Sequence, residues 1–355
     1  MIAIKVIGVF IIVLIGFLAC KVGWLPIKSA AYLSRIVLFI ACPCVLFLAI
    51  ARQEYSLESL YTMLTLMAVS VVLYVLSYVI GFAFCRLFRV PRADTGMYVN
   101  FCATPNNGFI GIPVALAVLG QPVLFIIALL NMMQAFFLYS YGTYLLRSRS
   151  GNKDGGRAAP TSVATASVQD ADTAESGDVG NIAFAEDAPA NRAGSLKQLL
   201  KDFFLPPVIG CLAGVAFFLL RIPVPEAVAD VLESVGATMT PLCMIFIGIQ
   251  LTESSPRRLF ANKRLLAVSI LRLIVIPALF FVILLPLYLI GVPMSIDSLL
   301  LSAILINFMT PIGAALPPLA EIYGGSVKLA SEGVFLSTLI SMFTIPIICI
   351  FLGML

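Results

Sequence analysis

The chain has 355 residues, 61% of them hydrophobic and only 11% charged, with a formal net charge of +4 and no histidine. A soluble protein carries roughly 25% charged residues, so a soluble globular class is excluded, and the missing imidazole removes histidine-based catalysis and the commonest metal ligand. Apolar runs near the ~20 residues of a membrane helix, without strand-like alternation, predict an all-α protein partnered with the lipid bilayer and give no basis for nucleic-acid binding.

Ten spans can be read along the chain. The first covers Ile2 to Cys20, with Lys5 and Lys21 able to reach the headgroups. Its end, Phe17-Leu18-Ala19-Cys20, is a poor likeness of a lipoprotein cleavage box, and the span is read as a retained helix. The second runs from Ala31 to Ala51 around Pro43, and the third from Leu60 to Cys85. The fourth and fifth share the uncharged run from Thr95 to Leu146, divided by the turn signal Gly120-Gln121-Pro122. Residues 147–197 are rich in Ala, Gly, Ser, Asp and Glu and too poor in large apolar groups to offset ordering entropy, so a disordered linker is expected there. It separates a first unit, 1–146, from a second, 198–355. The second unit holds spans Phe203–Leu220, Val228–Leu251, Leu265–Ile290, Ser298–Ala320 and Ala330–Leu352, with Pro206-Pro207 in the first turns of the sixth.

Basic residues choose a side. Lys21, Lys28, Arg86, Arg89, Arg92, Arg257, Arg258, Lys263, Arg264, Lys328 and those of the linker fall on one face, against Lys5, Arg52 and Arg221 on the other. The positive-inside rule then predicts a multi-pass protein of the cell membrane with both termini extracytoplasmic and the linker cytoplasmic.

The fourth span carries the least ordinary stretch, NFCATPNNGFIGIPVALAVLG from Asn100 to Gly120. Proline removes an amide donor and blocks a carbonyl one turn back, and a bilayer offers no water to satisfy the freed groups. A break at Thr104, Pro105, Asn106, Asn107 and Gly108 therefore predicts backbone buried in protein or lining a wet cavity. The ninth span echoes it: Asn307-Phe308 and Thr310-Pro311 answer Asn100-Phe101 and Thr104-Pro105, followed by Gly313, a second proline (Pro317 for Pro113) and a closing glycine. Span seven likewise echoes span two, Pro241 for Pro43. A unit of five spans, used twice, must cross the membrane in opposite senses, which predicts two inverted five-helix repeats with broken helices 4 and 9 crossing near the midplane. Their amino ends would offer amide donors and partial positive charge to an anion.

The candidate binding groups are neutral: the amides of Asn106 and Asn107, the hydroxyls of Thr104 and Thr310, and backbone freed at Pro105 and Pro311. Asn131 and Gln134, three apart on span five, share a face that either looks at the break or bonds a neighbouring helix. Ser337 and Ser341 share a face of span ten, suited to back-bonding or packing. The sequence reads as placing no lysine or arginine near the middle of a span, with Arg35 and Arg272 at cytoplasmic helix ends. Glu321, near the cytoplasmic end of span nine, is the candidate gate or proton carrier, and the want of a midplane carboxylate favours uniport. No catalytic set, cofactor or metal is implied, and the eight cysteines read as reduced packing residues.

The Pro105-Asn106 pair followed by Gly111-Ile112-Pro113 resembles the fourth-helix signature of the auxin efflux carrier family. Pro206-Pro207, the ATMTPLCMIFIGIQL stretch of span seven and SEGVFLSTLISMFTIP of span ten extend the likeness over the whole chain but the linker. The resemblance implies a fold shared with sodium-coupled bile acid carriers, a scaffold of helices one, two, six and seven, and a moving unit made of the rest. It implies an organic anion as cargo, auxin-like or malate- or malonate-like, with Asn106 beside it, and dimers through the scaffold. The other readings are a sodium symporter of the bile-acid type and a non-transporting receptor on the same fold. At span nine Ile312 stands where plant members carry a polar residue.

Overall fold

The computed structural model describes residues 2–149, 206–252, 259–290 and 298–352. In chain order the helices are α1 (Ile2–Lys21), α2 (Ser29–Ala51), α3 (Leu57–Leu87), α4 (Arg92–Ala103), α5 (Asn107–Leu119), α6 (Val123–Arg147), α7 (Pro206–Leu220), α8 (Glu226–Gln250), α9 (Lys263–Pro286), α10 (Ser298–Phe308), α11 (Leu316–Tyr323) and α12 (Val327–Cys349). Six of them, α2, α3, α6, α8, α9 and α12, are long and apolar enough to cross a membrane. The described residues hold no strand, only an isolated β-bridge between Pro105 and Ile312. Helical structure continues from α6 to Arg149, so the first residues of the expected linker are helical; its remainder, 150–197, lies outside the described residues.

Side-chain caps mark where three helices begin. Ser56 Oγ accepts from Ser59 N at 2.9 Å before α3, Asn262 Oδ1 from Leu265 N at 3.3 Å at α9, and Ser326 Oγ from Leu329 N at 3.1 Å at α12. Each satisfies an opening amide that the helix itself leaves without a partner.

Proline accounts for three of the four interior π turns among the described residues; the fourth, Leu138–Gly142, has none after it. Wide π turns at Val37–Ala41, Asn107–Gly111 and Leu271–Val275 each end two residues before a proline, namely Pro43, Pro113 and Pro277. The ring would strike the carbonyl one turn back, and widening that turn moves the carbonyl aside. The helices bulge rather than stop.

Glycine sets the closest helix contacts. A Cβ on Gly248 of α8 would fall 2.6 Å from Phe17 N of α1, and one on Gly210 of α7 would fall 2.6 Å from Pro43 O of α2. Lipid gives helices no hydrophobic reason to associate, so close backbone approach through small residues holds such pairs. The pairing is crosswise: α1 packs on α8 and α2 on α7. Around them α3 packs on α4 and α6, while α9 packs on α10 and α12. The interrupted stretches α4–α5 and α10–α11 meet inside this frame.

Candidate functional site

The two breaks are joined to each other. Asn106 N donates to Pro311 O at 2.8 Å, and Gly313 N donates to Thr104 O at 2.9 Å, which makes Pro105 and Ile312 an antiparallel pair. In this register the paired residues' own amide and carbonyl groups point away from each other. Pro105 has no N–H to satisfy there. Its carbonyl accepts from Gln134 Nε2 of α6 at 2.6 Å, and Ile312 N donates to Ser337 Oγ of α12 at 3.0 Å. Two side chains thus take up the polar backbone that the interruption frees, as burial demands. Ser337 also donates to Val334 O at 3.1 Å, so it both back-bonds and supports the bridge.

Beyond the bridge the chain turns helical again at Asn107 and at Leu316. The residues opening those helices, Asn107–Phe109 on one side and 313–315 on the other, line a cavity of about 350 Å³. The wall is completed by α2 (Leu38, Phe39, Cys42), the opening of α7 (Pro206, Pro207) and α11 (Pro318, Leu319, Ile322), all apolar. Its polar side chains are Asn106 and Asn107 from the break and Asn131, Gln134 and Tyr139 from α6.

The hydrogen-bonding state of these amides bears on what the cavity can hold. Asn106 and Asn131 have no side-chain partner among the described residues. Both amide atoms of Asn107 are buried and unpartnered, as is Gln134 Oε1. Asn107 lies against Gly111, where any Cβ would overlap its Oδ1. Such groups are costly to bury unless something else engages them. The cavity therefore offers amide donors, helix amino ends and no fixed charge.

Of the residues singled out from sequence, Pro105, Asn106, Asn107, Gly108, Asn131, Gln134 and Gly313 come together in the wall. Gln134 answers both readings of its face, since it bonds the neighbouring break and lines the cavity. Thr104 and Thr310 are buried behind the bridge and do not line the cavity, and Thr310 Oγ1 donates back to Asn307 O at 2.9 Å. Pro311 lies with them. Glu321 is exposed on α11, next to the wall residue Ile322 but outside the wall.

One expectation is corrected. Arg272 is not a helix-end arginine reaching for headgroups: it is fully buried on the π turn Leu271–Val275. Its Nη1 donates to Cys102 O at 3.0 Å, in the last turn of α4. The signal was in the spacing. Arg272 lies about two turns beyond Arg264, too deep for the interface.

Residues 1–349 match the family model described as "Membrane transport protein". The chain belongs to this family, the auxin efflux carriers among it. An uncharacterized transporter of Methanocaldococcus jannaschii is 24% identical over 347 residues, covering 96% of this chain and 95% of the relative. One from Methanothermobacter thermautotrophicus is 24% identical over 342 residues, with 96% and 95% covered. The protein is a membrane transporter of this family, with several helices long and apolar enough to cross a membrane. The likeness runs the length of this transporter and so includes both breaks.

Proposed function

We propose that this transporter is a secondary carrier that moves a small organic anion through the cavity at the paired breaks by alternating access. The observation that carries the reading is the unpartnered amides of Asn106 and Asn131 beside two helix amino ends in a cavity of about 350 Å³. A carboxylate leaving water needs donors, and neutral ones hold it without the desolvation burden of a buried ion pair. They also release it, as a carrier must.

The wall supports a particular kind of acid. Its polar side chains come from the break and α6, while α2, α7 and α11 contribute apolar ones. One carboxylate on a compact apolar body matches that division better than a dicarboxylate such as malonate. In this reading the ten spans form two inverted repeats, the crosswise pairs α1–α8 and α2–α7 act as scaffold, and the bridge moves with the remaining helices. Both termini are extracytoplasmic, the linker is cytoplasmic, and scaffold faces serve a homodimer.

Uptake of labelled indole-acetate, malate and malonate into liposomes holding the purified protein tests this, with and without sodium, pH and potential gradients. Saturable uptake of a monocarboxylate is expected, lost in Asn106→Ala while the amount of protein in the membrane stays constant. Uptake unchanged by Asn106→Ala overturns the assignment of the site.

A further inference from the structure

A fully buried arginine stands with two nitrogens unpartnered. Arg272 is 0% exposed, Nε and Nη2 have no acceptor, and only Nη1 is bonded, to Cys102 O. No carboxylate pairs with it among the described residues. A guanidinium stays charged in proteins, and one buried unpaired at membrane depth calls for compensation from its surroundings.

Those surroundings are a carbonyl from the closing end of one interrupted stretch and a side chain from the closing residue of the other. Cys102 belongs to the last turn of α4, and Phe308, whose ring centroid is 5.9 Å from the guanidinium, is the last residue of α10. A helix closes with about −0.5 of an elementary charge and opens with about +0.5. Two closing ends therefore match one guanidinium. The opening ends of α5 and α11 line the cavity. The adjacent polar side chains are neutral: Asn307 Nδ2 lies 3.5 Å from Tyr74 Oη, which is 3.4 Å from Leu130 O. Without Arg272 the closing ends offset part of the positive charge that the opening ends present to the cavity. With it, the positive pair remains uncompensated.

We infer that Arg272 is a positioning residue for charge selection: from outside the cavity wall it neutralises the carbonyl ends of α4 and α10 and makes the cavity prefer anions. The inference rests on the carrier reading for the identity of the cargo, but the charge preference of the cavity can be read with no cargo at all.

Asn131 lines the cavity and is half-buried, so Asn131→Cys serves as a reporter. The sulfonatoethyl and trimethylammonioethyl methanethiosulfonates carry opposite charges and report the local potential through the ratio of their rates. Only the labelling that Asn131→Cys adds over the parent chain is counted. The ratio of anionic to cationic labelling is expected to fall about tenfold in Arg272→Gln, as loss of one charge acting through protein predicts, and to stay within about twofold in Arg272→Lys. A merely structural role would slow both reagents alike or neither. Asn307→Asp, an isosteric change beside Phe308, adds a compensating carboxylate without deleting the arginine, and is expected to lower the ratio as well. It keeps the test open if the glutamine variant fails to fold. An unchanged ratio in either variant overturns the inference, whatever the uptake assay shows. A fallen ratio in a protein that moves no acid upholds it and overturns the cargo reading alone.

Discussion

Replacing Ser337 with alanine removes the acceptor of one backbone amide at the bridge. Ile312 is 0% exposed and its N–H donates to Ser337 Oγ at 3.0 Å, so no water stands ready to replace the hydroxyl. A buried donor left unsatisfied costs about 1–3 kcal/mol, a factor of roughly 5 to 150 in an equilibrium constant. Ser341 provides the control. It is equally buried four residues on, but its hydroxyl only back-bonds to Thr338 O at 2.7 Å. Denaturant unfolding in detergent micelles is expected to show Ser337→Ala less stable by about 1–3 kcal/mol and Ser341→Ala within about 0.5 kcal/mol of the parent. Hydrogen exchange followed by mass spectrometry across Ile312 should accelerate in the first variant only. Equal stability of the two variants, or unchanged exchange at Ile312, would refute the hydrogen-bond accounting at the bridge.

Two further substitutions separate the site from its frame. Gly111→Ala places a methyl on Asn107 Oδ1 and must turn that amide, so uptake affinity is expected to fall in the liposome assay with little change in unfolding. Gly248→Ala drives a methyl into the backbone of Val13 and Phe17, with Phe17 N only 2.6 Å away. Neither side is a flexible chain end, so α1 and α8 must separate. Overpacking of this kind costs about 1–3 kcal/mol or more, readable as a lowered thermal midpoint in detergent.

Much of this geometry was legible because proline and polarity are unambiguous in an apolar chain. Thr104-Pro105-Asn106 and Thr310-Pro311 announced two interruptions, and the three-residue spacing of Asn131 and Gln134 put both on one face. What remained illegible turned on side-chain direction. A threonine hydroxyl beside a break can face a cavity or bond back into its own helix, and Thr310 takes the second course toward Asn307 O. Ser337 could have done the same; instead its oxygen serves two masters, because a particular amide, that of Ile312, lies within reach. Arg272 was misread because hydropathy discounts a single cation in an apolar run, whereas depth along the helix decides whether a guanidinium can reach water.

The two breaks share backbone geometry and differ in chemistry. Each contributes one hydrogen bond to the bridge and the opening of a helix to the cavity, as matched halves would. Where the first break carries Asn106, the second carries Ile312, buried and with its backbone N–H on Ser337 Oγ. The first therefore lends side-chain donors, and the second lends backbone and apolar surface from Gly313 to Ile322. A site built symmetrically from both halves would engage a small dianion from two sides. On the proposed reading, this one engages an anion from one side and rests apolar surface against the other. Ala315→Asn tests that division, since it puts an amide on the second break's side of the wall. If the asymmetry of the wall sets the choice of cargo, uptake in the variant shifts toward dicarboxylates relative to indole-acetate. An unshifted preference would mean that the shape of the cavity, rather than its distribution of donors, selects the acid.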